Sequence, residues 1–354
     1  MNNEQTSAKV LRESKNRIRV DFERTSRWTR FRIKYLSLNF LGTVIFKLFR
    51  FVLLLGVAYV ILYPFFAKIA ASFMGPEDFT DVTVKLISRA PTLDQYRYIL
   101  TENGYFGALF NTATLSLACG VLQTFICSFI GYGLAKYKFK GNSIFFLLVI
   151  FTMVVPHGVL RLSMFFKFSS FDIPLLNKLA TIPGIGSFFE NIPLIGKSLN
   201  LLNTNWPLLI LSMFGLGFKN GLYIFIMRQF FKGVPDELEE SAYIDGSGVF
   251  KTFFTIILPL SVPMMVTVFL FAFAWQWTDN FYSVIFYTTS AKATLLPDIV
   301  KVPKSLQITY AGSNLYNSAI YNTCGMLIIA PLIVIYLFCQ KSLVQGIERS
   351  GIIG

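Results

Sequence analysis

Histidine is almost missing from this chain: His157 is the only one in 354 residues. That excludes a multi-histidine zinc or iron centre. Cysteine is scarce too. Cys119, Cys127, Cys324 and Cys339 all fall inside apolar runs, where cysteine behaves as a small core residue rather than as half of a disulfide or a metal ligand. Charge is thin at 14% of residues, and acidic groups are the scarcer kind, 19 Asp and Glu against 32 Lys and Arg. A soluble domain of this length would need a far more charged surface. No nucleophile–base pair or ligand cluster stands out, so no intrinsic catalysis is expected. Gly196-Lys197-Ser198 resembles the end of a phosphate-binding loop, but the first glycine of that pattern would fall at Asn191. No nucleotide or other cofactor is expected on this chain.

What is plentiful is apolar. The chain is 54% hydrophobic with 38 Phe, and its mean hydropathy is +0.57. This composition predicts an all-α, polytopic integral membrane protein, with lipid solvating the outside. About six stretches approach the roughly 20 apolar residues that a span needs. They run from Leu48 to Ala70, Thr112 to Leu134, Ser143 to Leu160, Pro207 to Phe231, Leu258 to Trp277 and Thr323 to Leu343. The first begins too far in for a cleavable signal peptide, and no small-residue cleavage motif follows it.

The net charge of +13 is informative by its placement. Lys9, Arg12, Lys15, Arg17, Arg19, Arg24, Arg27, Arg30, Arg32 and Lys34 all precede the first span. Lys136, Lys138 and Lys140 follow the second, Arg228 and Lys232 end the fourth, and Lys341 and Arg349 end the chain. Positively charged flanks stay inside the cell, so these segments and both termini are expected in the cytoplasm. A nucleic-acid role for the arm is disfavoured, since no aromatic-interleaved stacking module accompanies it. Leu38 to Phe46 is apolar but short, and fits a helix lying along the inner interface. Residues 171–202 carry Pro174, Pro183 and Pro193 and read as an ordered outer loop.

The informative stretch precedes the fifth span: Gly233-Val234-Pro235-Asp236-Glu237-Leu238-Glu239-Glu240-Ser241-Ala242-Tyr243-Ile244-Asp245-Gly246. It predicts a short helix with Pro235 in its first turn, Asp236 and Glu237 at the positive end of the helix dipole, and Gly246 as the stop. A second, amphipathic helix follows, with Val249, Phe250, Phe253, Phe254 and Ile257 on one face, and Pro259 is expected to break the chain before the next span. Such a ridge of carboxylates and small residues suits docking into another protein's groove. An amphipathic connector accounts for the residues as well.

The loop resembles the E-A-A-x3-G-x9-I-x-L-P signature of binding-protein-dependent ABC permeases. Glu240, Ser241 and Ala242 match its start, with serine at the second place, and Gly246, Ile256, Leu258 and Pro259 fall at the required spacings. Met227 to Phe231, Pro91 to Tyr96, Asn111, Gly131 to Gly141, Leu201 to Trp206, Trp277 to Asn280 and the tail Gly346 to Gly354 also resemble the carbohydrate, maltose-permease-like members. The resemblance implies a coupling helix in a cleft of a separate, ATP-binding ATPase dimer, with contacts from Glu239, Glu240, Ser241, Ala242, Asp245, Gly246, Ile256, Leu258 and Pro259. It implies a type I importer permease fold, a second, usually distinct, permease subunit, an extracellular solute-binding protein and an oligosaccharide substrate. Three regions follow: a basic arm (1–47), a transmembrane domain (48–343, with an outer-loop insertion at 171–202 and the coupling loop at 232–259) and a tail (344–354). In the family, the tail reaches towards the ATPase interface. A frayed end fits equally.

Six residues are candidates for the substrate path. Lys219 and Asn220 lie near the middle of the fourth expected span, where a lysine needs a water-filled path or a partner. An acidic substrate group such as a uronate fits, as does a carboxylate or helix-end carbonyl on the partner permease. Trp275, Trp277, Asp279 and Asn280 combine aromatic faces with hydrogen-bonding groups, as a sugar requires; an interfacial aromatic belt shares that composition. His157, after Pro156, reads as a hydrogen-bonded helix-end residue. A permease for a peptide or polyol, or an ion-gradient-driven transporter, is the alternative function, though Lys219 and Asp279 are a thin supply for an ion relay.

Overall fold

The computed structural model describes residues 38–172, 198–288, 295–309 and 312–351. The basic arm before Leu38, nearly all of the outer-loop insertion and the last three residues lie outside them. Among the described residues all regular structure is helical, and extended pairing is confined to one antiparallel bridge between Phe171 and Leu199. The chain divides into two compact units, Met1–Lys68 and Ile69–Gly354.

The first unit carries most of helix α1, Leu38–Ala71. Its stretch from Gly42 has a mean window hydropathy of 2.3 and is long enough to span. The interfacial segment expected at Leu38 to Phe46 is not a separate helix. It continues directly into the span because no breaker intervenes, and one interior glycine at Gly42 costs only about 1 kcal/mol.

In the second unit, α2 (Asp94–Glu102) leads into α3 (Tyr105–Lys136). Then come α4 (Asn142–Val154), α5 (Arg161–Ser169), α6 (Trp206–Met213) and α7 (Asn220–Lys232). The short α8 (Glu237–Ile244) precedes α9 (Val249–Trp277), α10 (Phe281–Phe286) and α11 (Ser313–Gly351). Helix α3 is the axis, with α6, α7 and α9 packed along it. Lipid gives no hydrophobic drive for helices to associate, so close backbone approach has to supply the contact. Gly131 provides it: a Cβ there would lie 2.8 Å from Cβ of Met227 and 3.0 Å from the backbone nitrogen of Arg228.

Among the described residues four helices, α1, α3, α9 and α11, are long and apolar enough to cross a membrane, and α4 with its successor makes a fifth if the bent pair is one span. The third expected span ends early. Helix α4 stops at Val154, before Pro156, and the chain turns by 94° into His157–Ser169, because the residue before a proline avoids helical backbone. The fourth is in two pieces. Gly215, at φ +71°, ends α6: its N–H donates to Ser212 O and that of Leu216 donates to Leu211 O, the paired bonds of a Schellman stop. Hydropathy is blind to such a stop, although Gly215 and Gly217 signalled it.

Pro259 does not interrupt the fifth span. Helix continues from Val249 to Trp277, with a π-turn at Phe253–Ile257 just before the proline. The wider turn absorbs a ring that would clash with the carbonyl four residues back. Pro331 inside α11 likewise leaves the Leu327 carbonyl without its helical donor, and the Tyr105 hydroxyl donates to it at 3.0 Å.

Candidate functional site

Helix α8 is anchored on one side and open on the other. It begins at Glu237, with Asp236 as N-cap, so Pro235 precedes the helix instead of sitting in its first turn. Gly246 ends it at φ +78°. The N–H of Gly246 donates to Tyr243 O at 3.0 Å, and that of Ser247 donates to Ala242 O at 2.9 Å. This is a full Schellman motif, and it gives the glycine a backbone reason. Glu239 and Ala242 are buried, whereas Glu240, Ser241 and Asp245 are exposed and Ile244 is 87% exposed. The outward face is thus apolar as well as acidic. Farther on, Ile256 and Leu258 are partly buried against the core, and Pro259 is exposed.

Lys136, at the last turn of α3, does the anchoring. Its side chain is only 5% exposed, and its ammonium reaches the Asp236 carboxylate at 2.5 Å and Glu239 Oε1 at 3.9 Å. It also donates to the Val234 carbonyl at 2.5 Å. Asp236 is held below the usual carboxylate range by the hydrogen bond and charge of Lys136. Burial pushes Glu239 above it, against the pull of Lys136 and of a hydrogen bond from Tyr132. Beneath, Tyr132, Phe231, Val234, Phe253 and Ile257 form one apolar cluster. Arg228 adds a second tie, donating from Nε to the Leu134 carbonyl at 3.3 Å while its guanidinium lies 3.7 Å from the centre of the Phe146 ring.

The six path candidates separate. Lys219 is not in mid-helix. It occupies the left-handed turn before α7, at φ 70°, an uncommon conformation for a residue other than glycine. Its Nζ lies 5.0 Å from the ring centres of both Phe218 and Trp275, and the His157 ring packs tilted against Phe218 with centres 4.5 Å apart. Asn220 is buried beside it. Lys219, Asn220, His157 and Tyr282 line a cavity of about 380 Å³ between the bent α4–α5 pair and the α6–α7 break. Trp277 departs from the path reading: it is core, with its indole N–H donating to the Ile328 carbonyl at 2.9 Å. Asp279 caps α10, accepting from the backbone N–H of Phe281, Tyr282 and Ser283 at 3.1–3.2 Å. Asn280 is the exposed N-cap residue of that helix.

Sequence reasoning missed two anchors. In the sequence Lys136 reads only as a topological charge. Gln95 stood inside the quoted Pro91–Tyr96 segment without a role. Fully buried, it donates to the carbonyls of Ala71 at 3.0 Å and Met74 at 2.9 Å, and accepts from Thr323 at 2.8 Å.

Residues 127–349 match the family described as binding-protein-dependent transport system inner membrane component. The chain belongs to this family. It is therefore a multi-pass membrane component of a transport system and not an enzyme, acting alongside an ATPase and a substrate-binding protein. The permease is 28% identical, over 83% of its own length and 93% of the relative's, to the polygalacturonan/rhamnogalacturonan transport system permease protein YtcP of Bacillus subtilis (strain 168). It is 27% identical, over 84% and 92%, to the maltodextrin transport system permease protein MalD of Streptococcus pneumoniae. Its fold matches a solved bacterial ABC transporter involved in the import of the acidic polysaccharide alginate, with TM-score 0.61, 21% identity and coverage of 85% of this chain and 97% of that one.

Proposed function

We propose that this permease carries oligosaccharide across the cytoplasmic membrane in an ATP-driven importer, with α8 as the element that receives the ATPase stroke. The observation that carries the reading is the construction of α8. Its inner face is fixed to the end of α3 through Lys136, its end is fixed by Gly246, and Glu240, Ser241 and Ile244 are presented outward. A short helix held rigidly on one side and bare on the other transmits displacement rather than absorbing it.

In this mechanism an extracellular binding protein delivers the sugar to the outer side. ATP, bound by the ATPase dimer and not by this chain, closes that dimer and moves α8. The Lys136 tie passes the motion into α3 and hence to α6, α7 and α9, which pack on it. Coupling between sites is reciprocal in binding free energy, so loaded binding protein favours the ATPase-closed state. The reading places both termini in the cytoplasm and pairs the chain with a second, distinct permease. The relatives named for maltodextrin and polygalacturonan support a glycan cargo.

The test is to purify the complex with its binding protein and screen neutral and uronic-acid oligosaccharides for stimulation of ATP hydrolysis. At least one class should stimulate several-fold. Stimulation by peptides or polyols alone would reject the oligosaccharide assignment.

A further inference from the structure

The cavity beside the α6–α7 break has three features that ordinary packing leaves unexplained. The first is a cation without a counter-ion. Lys219 is half-buried, and among the described residues no carboxylate lies within ion-pair distance of it. Two aromatic rings hold its ammonium at 5.0 Å instead. A cation–π contact orients a charge but neutralises none of it, and an unneutralised ammonium in a low-dielectric bundle favours an anion strongly.

The second is unsatisfied polarity. Asn220 is 1% exposed, and neither its Nδ2 nor its Oδ1 has a hydrogen-bond partner. The hydroxyl of Tyr282, on the same wall, is also buried and unpaired. Buried polar groups are nearly always satisfied, so a cluster of exceptions points to a missing ligand. Next to them, Gly217 has no room for a side chain: a Cβ there would lie 3.1 Å from Gln123 Nε2 and 3.3 Å from both Asn220 amide atoms.

The third is shape and lining. A volume near 380 Å³ lies within the range of about 300–1,000 Å³ typical of small-ligand sites. Trp275 is outside the lining and meets the cavity only through the Lys219 ammonium held over its ring. Amide, phenol and cation together match a pyranose ring that bears a carboxylate. The backbone strain fits as well: Lys219 is held in the left-handed region, a conformation that persists where the surroundings impose it and that clusters at ligand sites.

We infer that this cavity is a subsite for one sugar unit of the cargo and that Lys219 selects a uronate there, with Asn220 and Tyr282 bonding its hydroxyls. The inference rests on the carbohydrate reading above and adds the charge of the substrate and the residues that read it.

The experiment measures equilibrium binding to the detergent-purified complex of both permeases and the ATPases, without binding protein, so that the affinity read belongs to the membrane subunits. The probes are linear tetragalacturonate and maltotetraose. The wild-type complex binds tetragalacturonate at least tenfold more tightly. Lys219→Gln abolishes that preference, Lys219→Arg retains it, and Asn220→Leu weakens both sugars. Because the readout is a ratio of two affinities on one preparation, partial misfolding does not imitate it. Equal affinities in the wild type, no binding of either probe, or a preference that survives Lys219→Gln overturns the inference. So does dissociation of the complex by Lys219→Gln, which would assign the lysine to a carboxylate on the partner permease. In each of those cases, import of either sugar with binding protein present leaves the carbohydrate reading standing. Stimulation of ATP hydrolysis by peptides or polyols alone removes both.

Discussion

Lys136 shows how one side chain can serve two elements. A lysine ammonium has three donors; here it donates to Val234 and Asp236, and its charge lies 3.9 Å from Glu239 Oε1 while the stem is buried. Replacing it with methionine keeps the stem's packing but leaves Glu239 buried without a charge partner. Leaving a buried polar group unsatisfied costs about 1–3 kcal/mol, and more when it is charged. Lys136→Met should therefore lower the melting midpoint of the purified complex and reduce binding-protein-stimulated ATP hydrolysis more than basal hydrolysis. An equal loss of both rates would show that Lys136 supports the fold and not the coupling. None of this was legible in the chain, because partners 100 residues apart leave no local pattern. Gly246 was legible, since a glycine closing an acidic helix implies the left-handed stop that the structure contains.

Among the elements, helices with uniform apolar runs were easy to read and broken ones were not. The fifth expected span lies whole within α9, which begins earlier at Val249, and α11 includes all of the sixth. The third and fourth differ because hydropathy sums over the turn at Val155–Pro156 and over the Schellman stop at Gly215, and neither changes the apolar content of the window. Those two breaks are also what open the cavity, so the least legible part of the fold holds the candidate subsite. For α8 the two carboxylates respond to pH in opposite senses. Asp236, held low, contributes stability that is present above its unfolded pKa and lost as pH falls through the folded one. Glu239, raised by burial, contributes stability that is present below its unfolded pKa and lost as pH rises through the folded one. Glu239→Gln should therefore help most in alkali: its melting midpoint relative to wild type should be more favourable at pH 8 than at pH 5. A difference that is flat or reversed across that interval would mean Glu239 is not the group that titrates.

At the scale of the whole molecule, the account joins two ends of one bundle. Lys136 binds the loop that carries α8 to the end of α3, and Arg228 binds α7 to that same end of α3. The α6–α7 break that borders the cavity lies on the same axis, since α6, α7 and α9 all pack on α3. A stroke at α8 thus reaches the cavity through helices and not through flexible chain. The most direct test reconstitutes the complex with its binding protein in proteoliposomes and measures ATP-fuelled oligosaccharide uptake with Gly246→Val and Glu240→Lys combined. A β-branched residue at φ +78° resists the left-handed conformation by roughly 1–2 kcal/mol, and the reversed charge alters the outward face. The account predicts that the complex stays in the membrane while uptake and its stimulation of ATP hydrolysis fall at least tenfold. Uptake at the wild-type rate would contradict it.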